Sequence, residues 1–218
     1  LSVYIKEPEE KAQACIIWMH GLGADASDMA GLAEQLMTQN IALRHIFMDA
    51  PSRPVTLNGG MVMPAWYDIV GLELTDREDK EGIAHSEAMI RDVIDSQLND
   101  GFKPSQIYLA GFSQGGAMAL HTALHTNSRL GGVIALSAYL PLAQFSQALL
   151  DKSTPFFMGA GTFDPLVKPV WVEKSKEWVL ANGYENMTFH FYPMEHSICF
   201  EEIRDLSSWL RDQIQGVI

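Results

Sequence analysis

The chain has 218 residues, 47% of them hydrophobic and 19% charged, which is the balance of a folded globular protein rather than a disordered or repetitive one. Its formal net charge of −12 argues against nucleic acid or an anionic membrane as a main partner, because both reward clustered Lys and Arg. Two cysteines, Cys15 and Cys199, make no disulfide framework and no CxxC metal spacing. No run approaches the ~18 apolar residues of a membrane span.

Apolar runs and amphipathic stretches then alternate along the chain. Ser2 to Lys6 is predicted as an edge strand, and Cys15 to Met19 as the first central one. Asp28 to Met37 has helical spacing through Met29, Leu32, Ala33, Leu36 and Met37. Arg44 to Met48 returns as a strand. Asp49 to Glu81 has many Pro and Gly, shows no periodic element, and ends in the charged run Thr75 to Glu81. A loop of that length is usually functional or mobile, and the charged end reads as a solvated surface. Ile83 to Leu98 is a helix. Gln106 to Ala110 is a strand, Gly116 to Leu124 a helix, and Gly132 to Leu136 and Pro155 to Met158 are strands. Val172 to Leu180 is a helix, Met187 to Phe191 a strand, and Glu201 to Ile214 the last helix. Near-continuous apolar strands alternating with helices predict an α/β protein, a mostly parallel sheet covered by helices on both faces. One domain, 1–218, suits the length.

Gly111-Phe112-Ser113-Gln114-Gly115-Gly116 carries the chemistry. It is a G-x-S-x-G sequence between a predicted strand and a predicted helix, the setting of a nucleophile elbow in α/β-hydrolases. A serine hydroxyl needs a base, and in this arrangement an acid and then a histidine follow in chain order. Asp164 lies in the turn-rich Gly159 to Pro165, just after a strand. Asp151 precedes that strand and belongs to the wrong end of the sheet. His196 follows the strand Met187 to Phe191. His20, His45, His85, His121 and His125 all precede Asp164, and His190 lies within its strand. His121 and His125 are four apart on a helix, but no Glu completes H-E-x-x-H. They are therefore read as packed side chains, and no metal is expected.

An oxyanion hole needs two N–H donors. Gln114, next to the nucleophile, supplies one. The other is expected from Leu22 in His20-Gly21-Leu22-Gly23, the loop after the first central strand. Leu22, Met61, Met63, Trp66, Leu72 and Leu166 are the expected acyl-contacting residues, since they fall in the long loop or beside a site residue.

Taken together, Trp18 to Gly23, Pro51 to Gly60, Trp66-Tyr67-Asp68, Gly111 to Gly116, Asp164-Pro165 and Tyr192 to His196 resemble the carboxylesterase and acyl-protein thioesterase family, which also includes lysophospholipases. The resemblance spans most of the chain. It implies Ser113 as nucleophile, Asp164 as acid, His196 as base, Leu22 and Gln114 as oxyanion donors, an α/β-hydrolase fold without a large lid domain, and no cofactor. Where the family often has His-Gly before the acid loop, this chain has Ala160-Gly161.

The expected function is hydrolysis of carboxylic esters of short to medium acyl chains through an acyl-enzyme. An acyl-protein thioesterase or lysophospholipase with the same three residues is the alternative, and a non-catalytic binding protein on a hydrolase fold a remote one. The partner is then a small-molecule ester or acylated substrate, with no nucleic acid and no stable membrane insertion; a homodimer stays open. No signal peptide is visible, and two unpaired thiols suit a reducing, cytoplasmic setting.

Overall fold

The computed structural model describes residues 2–73 and 77–216. Thr75 and Asp76, which open the charged run, lie outside the described residues. In chain order the elements are β1 (Val3–Lys6), β2 (Ala14–Met19), α1 (Ala26–Gln35), β3 (Leu43–Met48), β4 (Ser52–Val55), β5 (Met61–Pro64), α2 (Lys80–Asn99), β6 (Ile107–Phe112), α3 (Gln114–Leu124), β7 (Gly132–Leu136), β8 (Phe156–Gly161), α4 (Pro169–Ala181), β9 (Met187–Tyr192) and α5 (Phe200–Gln215).

Seven strands form one sheet in the order β1-β3-β2-β6-β7-β8-β9. Only β1 runs antiparallel, at the edge. Strand alternation divides the apolar residues between two cores. Cys15, Ile17 and Met19 of β2 face one core, with Ile83, Ile90 and Val93 of α2 and with α3 and α4. Ile16 and Trp18 face the other, with Met29 and Leu32 of α1 and Leu206 and Leu210 of α5. Burial on both faces is the physical reason these strands read as unbroken apolar runs.

The order reverses between β2 and β6. Adjacent loops leave that point on opposite sides, which opens a crevice at the strand carboxyl ends where such sheets bind ligands.

Most elements shift by one to three residues at an end, and three departures from the sequence expectation have a clear physical reason. First, α1 begins two residues earlier, because Asp25 accepts a hydrogen bond from Ser27 N at 2.9 Å and caps it. It ends at Gln35, and the Met37 amide is held by Ser207 Oγ of α5 at 2.9 Å. Second, Asp49 to Glu81 is not structureless. It holds the antiparallel pair β4 and β5, joined through a 3-10 turn and two glycines with φ of +67° and +79°. The prolines in both strands hid the pair, and a two-stranded edge tolerates them. Third, β8 continues through Gly159, Ala160 and Gly161, which composition alone marks as a turn. Those small residues are needed in a strand here. A Cβ on Gly159 would overlap the Glu202 carboxyl, and one on Gly161 the carbonyls of Met194 and Glu195.

Glu202 is itself unusual. It is fully buried, and neither carboxyl oxygen has a hydrogen-bond partner among the described residues. Burial, with Asp205 nearby, pushes its carboxyl up to about 8 from an ordinary 4.5. Between those values the folded protein holds the proton that the unfolded chain has lost. The stability it contributes is therefore complete below about pH 4.5 and declines as pH rises to about 8. A Glu202→Gln variant is expected to match the parent near pH 4.5 and to exceed it at pH 8 by on the order of 3 kcal/mol. Urea unfolding midpoints at several pH values read this directly. A gap that does not widen with pH would remove the titration from the explanation.

Candidate active site

Ser113 sits between β6 and α3 with φ of 56° and ψ of −120°. Such a backbone is strained for a residue with a Cβ, and close packing holds it there. The Ser113 amide donates to Leu136 O of β7 at 2.8 Å, and Ala117 N donates to Ser113 O at 2.9 Å. A Cβ on Gly111 would overlap the backbone of Gly115, and one on Gly115 would overlap the carbonyls of Met19 and His20. The glycines of the motif are thus required by backbone approach, and the turn lifts the serine hydroxyl above the sheet.

The residues at the carboxyl ends of β8 and β9 meet that hydroxyl. His196 Nε2 lies 3.0 Å from Ser113 Oγ, and His196 Nδ1 lies 2.6 Å from Asp164 Oδ2. Asp164 is buried. Its other oxygen, Oδ1, accepts from Leu166 N at 2.8 Å and Val167 N at 2.9 Å. With Oδ1 engaged, Oδ2 is aimed at the imidazole. The Nδ1–H therefore donates to the carboxylate, and the Nε2 lone pair faces the serine hydroxyl. The His196 ring also packs on Phe112, with centroids 4.8 Å apart.

The Ala160-Gly161 departure leaves this loop well tied. Thr162 N donates to Tyr192 O at 2.8 Å and Phe163 N to Met194 O at 3.1 Å, so the acid and histidine loops are joined by backbone.

Leu22 and Gln114 flank the serine. A Cβ on Gly21 would lie 3.6 Å from Ser113 Cβ, which puts the Gly21 to Gly23 loop directly beside it. Within the described residues neither the Leu22 nor the Gln114 amide donates a hydrogen bond. The neighbouring Gly23 amide is used, donating to Pro64 O of β5 at 2.8 Å. Gln114 opens α3, where an amide has no intrahelical acceptor and the helix dipole favours negative charge.

Two supports of this loop are not visible in the sequence pattern. His20 is fully buried, with Nδ1 donating to Gly21 O at 2.7 Å and Nε2 accepting from Ala50 N at 3.0 Å. It braces the loop and lies apart from the hydroxyl chemistry. The Gln114 side chain is the second. Its Oε1 accepts from Trp66 N at 2.7 Å and its Nε2 donates to Tyr67 O at 2.8 Å. A Gln at an elbow signals nothing about 66–67, since only folding brings those residues within reach.

The expected acyl-contacting residues divide. Leu22 is half-buried at the site. Met63 is partly buried against the Gly21 to Gly23 loop, its Sδ 3.7 Å from where a Cβ on Gly23 would lie. Met61, Leu72 and Leu166 are exposed. Trp66 is fully buried, and its indole donates to His20 O at 2.8 Å. It supports the loop from below and presents no open surface. Phe163, next to Asp164 in the chain, is also exposed and was not anticipated.

The fold is that of the α/β-hydrolases, without a large lid domain. Residues 2–214 match the model of the Phospholipase/Carboxylesterase family. Acyl-protein thioesterase 1 of Yarrowia lipolytica is 34% identical over 93% of this chain and 92% of its own length. The protein of the same name from Neurospora crassa is 36% identical over 94% and 88%. Among solved structures, Zea mays acyl-protein thioesterase 2 superposes with a TM-score of 0.85 at 27% identity, covering 98% of this chain and 99% of that one. The Bacillus cereus carboxylesterase, at 20% identity and a TM-score of 0.80 over 97% and 93%, shares the fold. The chain belongs to the Phospholipase/Carboxylesterase family and is an ester hydrolase.

Proposed function

We propose that Ser113, His196 and Asp164 form the catalytic triad of a serine hydrolase that acts through an acyl-enzyme. The observation that carries this reading is the unbroken line of hydrogen bonds from Asp164 through His196 to Ser113 at the crevice between β2 and β6.

Ser113 Oγ attacks the acyl carbonyl while His196 Nε2 takes its proton. Asp164 keeps the imidazole in that tautomer and stabilises the imidazolium. The carbonyl oxygen becomes an oxyanion held by the Leu22 and Gln114 amides, both free to donate. His196 then returns the proton to the leaving alcohol or thiol. A water deprotonated by His196 attacks the acyl-enzyme, releasing the carboxylic acid and restoring Ser113.

The acyl chain runs along Leu22 and Met63 toward the exposed Met61, Leu72 and Leu166. A thioether side chain adapts in shape, which favours several short to medium chains over one. A second reading is hydrolysis of thioesters on acylated proteins. It is favoured by relatives named acyl-protein thioesterase 1 at 34% and 36% identity over nearly the whole chain. The chemistry at Ser113 is the same for both, because a thiolate leaves at least as readily as an alkoxide.

A reducing, cytoplasmic setting belongs to this reading and is supported by the two unpaired cysteines, Cys15 and Cys199.

The test is a fluorophosphonate probe followed by a substrate panel of acetyl ester, octanoyl ester, S-acylated peptide and lysophospholipid. Labelling confined to Ser113 is expected, with turnover of both esters at rates within about tenfold of each other. A folded protein that takes no label and turns over none of the panel would overturn the proposal. One sharply preferred chain length would remove the adaptable wall.

A further inference from the structure

The helices α2 and α3 bring together three side chains that the ester chemistry does not use. These are Glu87 of α2, His121 of α3 and His125, which caps the C-terminus of α3, each offering one ligand atom, with those atoms all within 4.8 Å of one another. From the geometry we propose that Glu87, His121 and His125 bind a first-row divalent cation such as Zn2+, with water completing the coordination.

His121 is the strongest indication. It is 9% exposed, and neither ring nitrogen has a good partner. Nδ1 is buried with no hydrogen bond, and Nε2 faces Glu87 Oε1 at 3.5 Å, too long for a sound one. Buried polar atoms are nearly always satisfied, so a ring whose Nδ1 has no partner is held by no hydrogen bond of its own, and its Nε2, facing Glu87, is the nitrogen left for a cation. His125 is already set for ligation. Its Nδ1–H donates to His121 O at 2.7 Å, which fixes the tautomer and leaves the Nε2 lone pair for a cation. That lone pair now accepts from the amide of exposed Gln147 at 3.2 Å, a group that water can satisfy instead.

Two imidazoles and one carboxylate are a donor set for zinc and its neighbours rather than for calcium or magnesium. Zinc–ligand bonds of about 2.0–2.2 Å place tetrahedral ligand atoms ~3.3 Å apart, so side-chain rotations of the order of 1 Å close the site. Arg91 opposes binding. Its guanidinium reaches Glu87 Oε1 at 3.3 Å and must turn away, although it also donates to His125 O at 2.7 Å and can keep that bond. A bound ion would pin α2 to α3, the helix that follows Ser113. The missing acid of the i, i+4 histidine pair thus comes from another helix, where a sequence motif cannot show it. This inference does not depend on the chemistry proposed at Ser113.

The untagged full-length chain, freed of metal by chelator, is titrated with Zn2+ by calorimetry and with Co2+ by visible absorption. One ion per chain is expected, with d–d bands of a low-coordinate Co2+ site and a rise in Tm on adding Zn2+. Glu87→Gln, His121→Gln and His125→Gln should each weaken binding by at least ~10-fold, while His190→Gln, an exposed histidine of β9, should not. Circular dichroism checks that each variant is folded. Glu87 is partly exposed, so its substitution tests the site even where His121→Gln unfolds the chain. No binding by the parent protein, or binding that survives Glu87→Gln and His125→Gln undiminished, overturns the proposal.

Discussion

Replacing Ser113 by Ala is expected to lower kcat for p-nitrophenyl acetate by roughly 10⁴- to 10⁶-fold, with the protein still folded. The proposed mechanism routes every turnover through Ser113 Oγ, and among the described residues no other hydroxyl hydrogen-bonds to His196. Residual rate would come from the Leu22 and Gln114 amides and from binding, which survive the change. KM should move little, because the lost atom matters chiefly in the transition state. The same residue makes a stability test. Alanine keeps the strained φ of 56° and should be about as stable as serine. Glycine is at ease there, so Ser113→Gly should gain about 1 kcal/mol or more while losing activity equally. Wild-type turnover by a folded Ser113→Ala variant would sink the mechanism.

Asp164→Asn should lower kcat by about 10⁴-fold with little loss of stability. The reason is the division of labour between its two oxygens. Oδ1 accepts from the Leu166 and Val167 amides, and the amide oxygen of Asn takes over that duty. Its NH2 group must then occupy the place of Oδ2 and point at His196 Nδ1. A donor there forces Nδ1 to accept, so the ring proton moves to Nε2, facing Ser113. The imidazole can then no longer take the serine proton. An imidazolium would also lose its buried counter-charge. Steady-state kinetics with a urea midpoint distinguish this from simple unfolding. A loss of less than about tenfold would mean that Asp164 does not set the tautomer.

Much of the architecture was legible. Cys15 to Met19 and Gly132 to Leu136 announced central strands because strands buried on both faces have no polar side to show. The elbow was legible because its requirements are local: strand, Gly-x-Ser-x-Gly, helix. The β4–β5 pair was not, since Pro54 and Pro64 and the glycines between them mask an edge pair whose partner is itself. Nor was the extension of β8, whose glycines make room for the backbone of a loop and for the Glu202 side chain of a helix far along the chain.

The sequence by itself singled out Ser113, Asp164 and His196, in that order, as the triad proposed here, and determined the alternating pattern that makes a two-faced sheet. Covalent neighbours and residue types suffice for that. The tertiary structure alone decided what lies between distant residues. It set the 3.0 and 2.6 Å contacts of His196, and it moved Trp66 from an expected wall to a buried brace. It tied the Gln114 side chain to residues 66 and 67, and brought Glu87 to His121 and His125. Such contacts follow from how helices and loops pack on the sheet, and packing is a property of the whole chain that no local pattern encodes.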